Sequence, residues 1–63
     1  GTGDFRGLVG KQGVATCALR PSGNIEIDGT IYDVVAQTDF IDRGTQVVVT
    51  QVEGVRIVVR AIG

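Results

Sequence analysis

The sequence predicts a small all-β domain of five short strands that close into a barrel. Among its 63 residues, β-branched side chains dominate the aliphatic set, with eleven Val and six Ile against two Leu. Such side chains fit a pleated strand better than a helix. The apolar residues recur in short alternating runs separated by glycine-containing turn signals. Barrel closure hides the strand edges that so short a chain would otherwise expose.

The first strand is predicted over residues 13–19, after a glycine-rich lead-in over residues 1–10 that reads as flexible. Pro21 and Gly23 mark the turn that follows. Proline presets φ for the second position of a type I turn, and glycine suits the fourth. We therefore expect a type I turn over residues 20–23.

The second and third strands, over residues 24–27 and 30–36, are predicted to form a hairpin around Asp28 and Gly29. A two-residue Asp-Gly loop is a strong hairpin signal, because both central residues of the favoured turn need positive φ. In the resulting register, the side chains on the core face are Ile25, Ile27, Tyr32 and Val34.

The alternation breaks between the third and fourth strands, where a single helical turn is predicted. Thr38 or Asp39 would cap the turn through a side-chain oxygen, and Gly44 suits its left-handed exit. Phe40 or Ile41 would then plug one end of the core.

The last two strands are predicted over residues 45–52 and 55–61, around a turn at Glu53 and Gly54. This register pairs Val52 with Val55, Thr50 with Ile57 and Val48 with Val59, and it places all six on one uncharged face. We take this face as the core face. Five strands in this order match the OB-fold, a five-stranded Greek-key barrel, over residues 11–63. A three-by-two β-sandwich is the alternative.

The composition argues against an enzyme. A domain of about 60 residues buries only about 60% of its unfolded surface, which leaves little room for an enclosed active site. There is no His, and the single Cys17 can form no intrachain disulfide. Ser22 lies in a turn without a neighbouring base. The carboxylates at turns or outer faces are Asp28, Asp33, Asp39, Asp42 and Glu53. No catalytic residue, cofactor or metal site is predicted.

Two binding functions receive weak support. Residues 41–47 resemble the turn of lipoyl- and biotinyl-carrier barrels, but those carriers need a lysine at a hairpin tip, and Lys11 lies in the lead-in. Oligonucleotide binding needs aromatic side chains above a basic groove. The net charge is −1, and the three aromatic residues, Phe5, Tyr32 and Phe40, do not share one predicted face. No nucleic-acid partner is therefore expected.

The predicted registers leave many aliphatic side chains on the outer face of the barrel. Contiguous apolar patches on small domains commonly mark interaction sites. The residues of the predicted interaction surface are Ile31, Val35, Val47, Val49, Val58, Arg56 and Arg60. The third and fifth strands are neighbours in an OB barrel, which would merge Ile31, Val35 and Val58 into one patch. Two alternatives explain the pattern: Phe5, Leu8 and Val9 fold back over the patch, or a β-bulge shifts the register.

A series of short motifs closely resembles the C-terminal domain of the NfeD family, from about residue 8 to residue 62. The motifs are LVGKQGVA at 8–15, LRPSG at 19–23, IDG at 27–29, YDVV at 32–35, FI at 40–41, GT at 44–45, VEG at 52–54 and VVR at 58–60. The match is specific in order and spacing, whereas each motif alone is weak.

The resemblance implies an OB-fold domain attached to membrane-spanning helices, in proteins encoded beside stomatin-, prohibitin- or flotillin-like scaffolds and acting with them. The chain begins without Met, and we expect it to be part of a longer, membrane-associated protein with this domain on the cytoplasmic side. Longer family members carry a Ser/Lys protease domain, and none of it is present here. We therefore expect a non-catalytic interaction module whose surface contacts such a scaffold or a second copy of the chain. The alternatives are a nucleic-acid-binding OB domain and a regulatory module of a membrane-associated serine protease.

Overall fold

The computed structural model describes residues 4–38 and 40–62, and five strands in this range form a closed barrel. The strands are β1 Gln12–Ala15, β2 Ser22–Ile27, β3 Thr30–Ala36, β4 Gln46–Glu53 and β5 Arg56–Ala61. Their order around the barrel is β1-β2-β3-β5-β4, and β4 pairs with β1 to close it. Strands β3 and β5 run parallel, whereas the other neighbours are antiparallel. The predicted five-stranded OB barrel is confirmed, including the contact between the third and fifth strands.

The first hairpin has the predicted register. Ile25 pairs with Tyr32, and Ile27 pairs with Thr30. Asp28 and Gly29 have φ of +50° and +82°, as the favoured two-residue turn requires. The alternation buries Ile25, Ile27 and Val34, and Tyr32 packs against the core from a partly buried position.

Replacing Gly29 by Val is expected to destabilise the fold by about 1 kcal/mol or more, because a β-branched residue resists positive φ. A Cβ at this position meets nothing within 4 Å, so the cost is conformational rather than steric. Gly44→Val should behave likewise, since Gly44 has φ +85° and equal space. The measurement is the urea midpoint, with Gly7→Val as the control at an open site without positive φ. Midpoints that match the parent would contradict the left-handed turns.

The first strand is shorter than predicted, and the turn after it differs. Strand β1 ends at Ala15, and Leu19 instead forms an isolated bridge with Ile41. The expected type I turn over residues 20–23 is wrong, because pairing with β3 extends β2 back to Ser22. The Arg20–Pro21 peptide bond is cis.

Gly23 lies within β2 and has no positive φ, so it is not a turn residue. A Cβ there would overlap Leu19 Cδ2 and lie 3.1 Å from both the Ala18 carbonyl oxygen and Cys17 Sγ. Glycine is therefore needed here because the 16–19 segment passes close to the strand.

The helical turn predicted between β3 and β4 is wrong. The described residues there are not helical, and a 3-10 turn lies instead at Arg6–Leu8, before β1. Leu19 and Ile41 exchange two backbone hydrogen bonds, of 2.8 and 3.0 Å, which hold this segment extended. The Ile41 side chain is buried as expected, whereas Phe40 is exposed with the Arg20 guanidinium over its ring. Asp39, one of the two expected caps, lies outside the described residues.

The turn of the second hairpin lies one residue later than predicted, at Gly54 and Val55, and Glu53 pairs with Arg56. Gly54 has φ +61° and Val55 has no positive φ. This combination fits a type II′ turn, which places glycine at its first central position.

A β-bulge at Thr50 then shifts the register of β4. The pairing passes from Gln51↔Val58 to Val49↔Val59, so Thr50 has no partner on β5. Val47 and Val49, which the sequence placed outside, are therefore core residues with 0% and 1% exposure. Val48, predicted inside, is only half-buried and lies opposite Arg60 on the outer face. The predicted burial of Ile57 and Val59 is confirmed.

Residues 5–10, predicted as part of a flexible lead-in, pack against the barrel. Phe5 and Leu8 contact the core cluster, whereas Val9 is exposed. The N–H of Gly10 donates to the Val49 carbonyl oxygen at 2.8 Å, and the N–H of Val49 donates to the Lys11 carbonyl oxygen at 2.9 Å. Residues 1–3 and 63 lie outside the described residues, and the domain boundary at residue 10 stays a prediction.

Candidate functional site

The candidate surface is the outer side of β3 and β5, which we call the β3–β5 face. It consists of Ile31, Asp33, Val35, Arg56, Val58 and Arg60. These positions alternate with the buried residues Val34, Ala36, Ile57 and Val59, so they point away from the core.

Two register partners, Val35 and Val58, form the apolar centre of this face. Both are half-buried, and Ile31 is 54% exposed on the same side of β3. The Thr50 hydroxyl donates to the Val58 carbonyl oxygen at 3.3 Å, which ties the bulge to β5. The exposed side chains of Arg56 and Arg60 border the valines on β5.

Five of the seven residues predicted for the interaction surface lie on this face. They are Ile31, Val35, Val58, Arg56 and Arg60. Val47 and Val49 do not belong to it, because the bulge turns them into the core. The role of the remaining five in binding stays a prediction.

Two open grooves flank β3. One, of about 480 Å³, lies between β2, β3 and the start of β5, and its polar lining includes Asn24, Asp33 and Arg56. The other, of about 470 Å³, is lined by Phe5, Thr30, Ile31, Tyr32, Asp33, Val55 and Ile57. We call this second one the apolar groove.

The apolar groove contains residues that the sequence analysis missed. Val55 is 76% exposed at the hairpin tip, whereas the predicted register paired it with Val52 in a strand. The missed signal is Gly54, since a glycine before Val55 also fits the first position of a II′ turn. Phe5 packs edge-to-face on Tyr32, with ring centroids 5.8 Å apart, so neither offers an open stacking platform for bases.

The polar groups of the surface make local pairs rather than a reactive constellation. The Asn24 side-chain amide donates to the Asp33 carboxylate, and the Cys17 sulfur accepts the Asn24 N–H at 3.4 Å. In the described part of the chain, no three His, Cys, Asp or Glu residues are grouped to hold a metal ion.

An exposed ion pair lies beside the apolar groove, next to Phe5. Hydrogen bonds from Arg6 hold the pKa of the Asp4 carboxyl below its usual value. Both groups are open to solvent, so the pair contributes little to stability. Across residues 4–38 and 40–62, no helix has the length and apolar character that crossing a membrane requires.

Comparison with known proteins agrees with this architecture. A family model described as the NfeD-like C-terminal, partner-binding domain matches residues 6–60. Membrane protein NfeD1b of Bacillus subtilis (strain 168) is 47% identical over 55 residues, which are 87% of this chain. The chain spans only 13% of the length of that relative.

Two solved structures share the fold at low sequence identity. One is the C-terminal domain of stomatin operon partner protein 1510-C from Pyrococcus horikoshii, with a TM-score of 0.84, 22% identity, and coverage of 90% of this chain and 91% of that one. The other is the soluble domain of a membrane protein implicated in regulation of membrane protease activity from Corynebacterium glutamicum. Its TM-score is 0.76 at 24% identity, over 86% of this chain and 90% of that one. The matched residues, the relative and the shared barrel together establish that this chain belongs to the NfeD family, as an NfeD-like C-terminal, partner-binding domain.

Proposed function

We propose that this chain is a non-catalytic docking module, and that its β3–β5 face binds a stomatin-, prohibitin- or flotillin-like scaffold protein. The observation that carries the proposal is the apolar centre at Val35 and Val58, with exposed Ile31 on the same face and arginines at its border. An apolar centre with a polar rim is the usual anatomy of a protein interface. The name of the Pyrococcus relative, a stomatin operon partner protein, supports this class of partner.

A docking role also fits the chemistry of the described residues. In the described residues, the Asp33 carboxylate of the β3–β5 face accepts a hydrogen bond from the neutral Asn24 amide, and no side-chain hydrogen bond joins a nucleophile to a base in either groove. Substrate turnover would need a nucleophile within reach of a base, together with donors that stabilise the transition state. Binding needs only a complementary surface, which this face offers.

The intact protein, in this proposal, is membrane-associated and presents this domain on the cytoplasmic side. The support is the name of the Bacillus relative, a membrane protein in which the matched part is a small fraction of the length. The barrel would then bring a scaffold at the membrane surface into contact with whatever the rest of the protein carries.

Val58→Lys is expected to weaken scaffold binding at least about tenfold while changing stability by about 1 kcal/mol or less. Val58 is half-buried on the outer face, so a lysine there can lay its methylene groups on the surface and keep its ammonium in water. The measurement is binding to a purified stomatin-like protein encoded in the same genome, with a thermal melt of each variant. Val14→Lys, at an exposed position on β1, is the matched control and should bind like the parent.

Three results would contradict the proposal. Normal scaffold binding by a folded Val58→Lys chain would exclude the face as the interface. Equal loss of binding in Val14→Lys would mean that the added positive charge, and not the position of Val58 on this face, weakens binding. Light scattering that shows a dimer, disrupted by Val58→Lys without any scaffold affinity, would assign the face to self-association.

A further inference from the structure

The barrel is incompletely paired between β3 and β5. The parallel pairing covers only Val35↔Val58 and Ala36↔Val59, at the carboxyl end of β3 and the middle of β5. The first half of β3 is paired with β2 on one side and faces the apolar groove on the other. A strand edge therefore lies open on this side of an otherwise closed barrel.

The turn geometry shows which backbone groups occupy this edge. In a two-residue hairpin, the residues that flank the loop exchange both hydrogen bonds, so Thr30, Tyr32 and Val34 point their backbone groups toward β2. Two loop hydrogen bonds show the same alternation at the end of β3. The N–H of Ala36 donates to the Pro21 carbonyl oxygen on the β2 side, and the N–H of Gln37 donates to the Val59 carbonyl oxygen on β5. The N–H and C=O groups of Ile31 and Asp33 therefore point away from β2. Within residues 4–38 and 40–62, neither a strand pairing nor a loop hydrogen bond reaches them from the β5 side.

The side chains around this edge define what it can accept. The apolar groove is lined by Phe5, Tyr32, Val55 and Ile57, and Asp33 is the one charged residue among its described lining. The only hydrogen bond to the Asp33 carboxylate in the described range comes from a neutral amide, and no cation there forms an ion pair with it, although Arg56 lines the neighbouring groove with Asp33. A basic side chain opposite Asp33 is the complementary group.

We propose that an extended segment of the protein partner adds as a short strand to the edge of β3 at residues 31–33. Its backbone would pair with Ile31 and Asp33, one apolar side chain would fill the apolar groove, and a basic side chain would face Asp33. Unpaired backbone donors and acceptors in strand geometry are complementary to another extended backbone. This inference rests on the proposed function, since it assumes a protein partner and adds how that partner is held.

The probe is a capped peptide of the sequence Thr-Val-Lys-Val-Thr, which alternates apolar and basic side chains at strand spacing. Titration into the isotope-labelled chain should shift the amide signals of Ile31, Asp33 and Ile57 and leave those of β1 unchanged. A peptide methylated on the backbone nitrogens of its three central residues should bind at least about tenfold more weakly, because it lacks the donors. Replacing the lysine of the peptide by glutamate should also weaken binding.

A pair of variants tests the edge from the side of the protein. Ile31→Pro removes a backbone donor that does not face β2, so the hairpin should still fold, as edge positions tolerate proline. Ile31→Ala is the control, because it also removes the isoleucine side chain but keeps the backbone N–H. We expect the peptide to bind Ile31→Ala more strongly than Ile31→Pro by about tenfold. If Ile31→Pro fails to fold, the methylated peptide provides the same comparison on the parent chain.

Three outcomes overturn the proposal. Equal binding of the methylated peptide would mean that side chains alone hold it. Absence of any shift at millimolar peptide would mean that the edge is not a docking site. Binding that appears only in a chain shortened to begin at Asp4 would assign the edge to the N-terminal residues of this chain. If the chain binds the scaffold but not the peptide, this inference is wrong and the proposed function stands. If the chain binds the peptide but not the scaffold, the edge binds extended segments and the proposed function is wrong.

Discussion

Gly13→Ala is expected to destabilise the barrel by about 3 kcal/mol, enough to unfold much of the population of so small a domain. A Cβ at Gly13 would overlap the backbone oxygen of Glu26 and lie 2.8 Å from Ile27 Cγ1. The oxygen belongs to β2, which pairs with β1 at Val14↔Glu26, so relief requires the two strands to separate. No rotamer change can remove a contact with backbone.

Urea denaturation of Gly13→Ala, followed by circular dichroism, measures the loss. Gly7→Ala is the matched control, because a Cβ at Gly7 meets nothing within 4 Å and its φ is not positive. Gly23→Ala should fall between the two, since a Cβ there overlaps the end of the Leu19 side chain rather than backbone and lies 3.1 Å from the Ala18 carbonyl oxygen. A parent-like midpoint for Gly13→Ala would show that β1 and β2 are not packed this closely.

The first hairpin was predictable because local and long-range preferences agree there. The Asp-Gly pair allows one favoured loop, and the polar residues on either side of Ile25 and Ile27 leave one possible core face. Strand β3 therefore begins and ends where the sequence predicts, at Thr30 and Ala36. The β3 residues of the β3–β5 face follow directly from this alternation.

The second hairpin was not predictable from local sequence because its side chains satisfy two registers equally. Val47, Val48 and Val49 are consecutive, so either alternation buries valine. Gly54 fits either central position of a two-residue turn. The register follows instead from β1, because Gly10 and Lys11 bond the backbone of Val49 and Gly13 pairs with Val47.

The segment between β3 and β4 shows the same competition in another form. Thr38 and Gly44 supply the start and stop signals of a helical turn, but a single turn gains little from its own hydrogen bonds. The bridge between Leu19 and Ile41 supplies two backbone hydrogen bonds and buries both side chains. Only Gly44 behaves as the local signal indicates, because positive φ is required in either arrangement.

Val49→Glu is expected to unfold the domain, whereas Val48→Glu is expected to leave it folded. Val49 is 1% exposed in the core, and a carboxylate without a partner there costs several kcal/mol, on the order of the whole stability of so small a domain. Val48 is half-buried opposite Arg60, so a glutamate there reaches water and gains a cross-strand partner of opposite charge.

The two variants differ by one position in the same strand and introduce the same side chain, so β-propensity and net charge are matched. Thermal melts at low salt measure the contrast, and the melting temperature of Val48→Glu should stay within a few degrees of the parent. Without the bulge at Thr50, Val48 would face the core and Val49 the solvent, and the order of the two stabilities would reverse. A folded Val49→Glu chain beside an unfolded Val48→Glu chain would therefore return Val47 and Val49 to the outer surface, where the predicted interaction surface placed them together with five residues of the β3–β5 face.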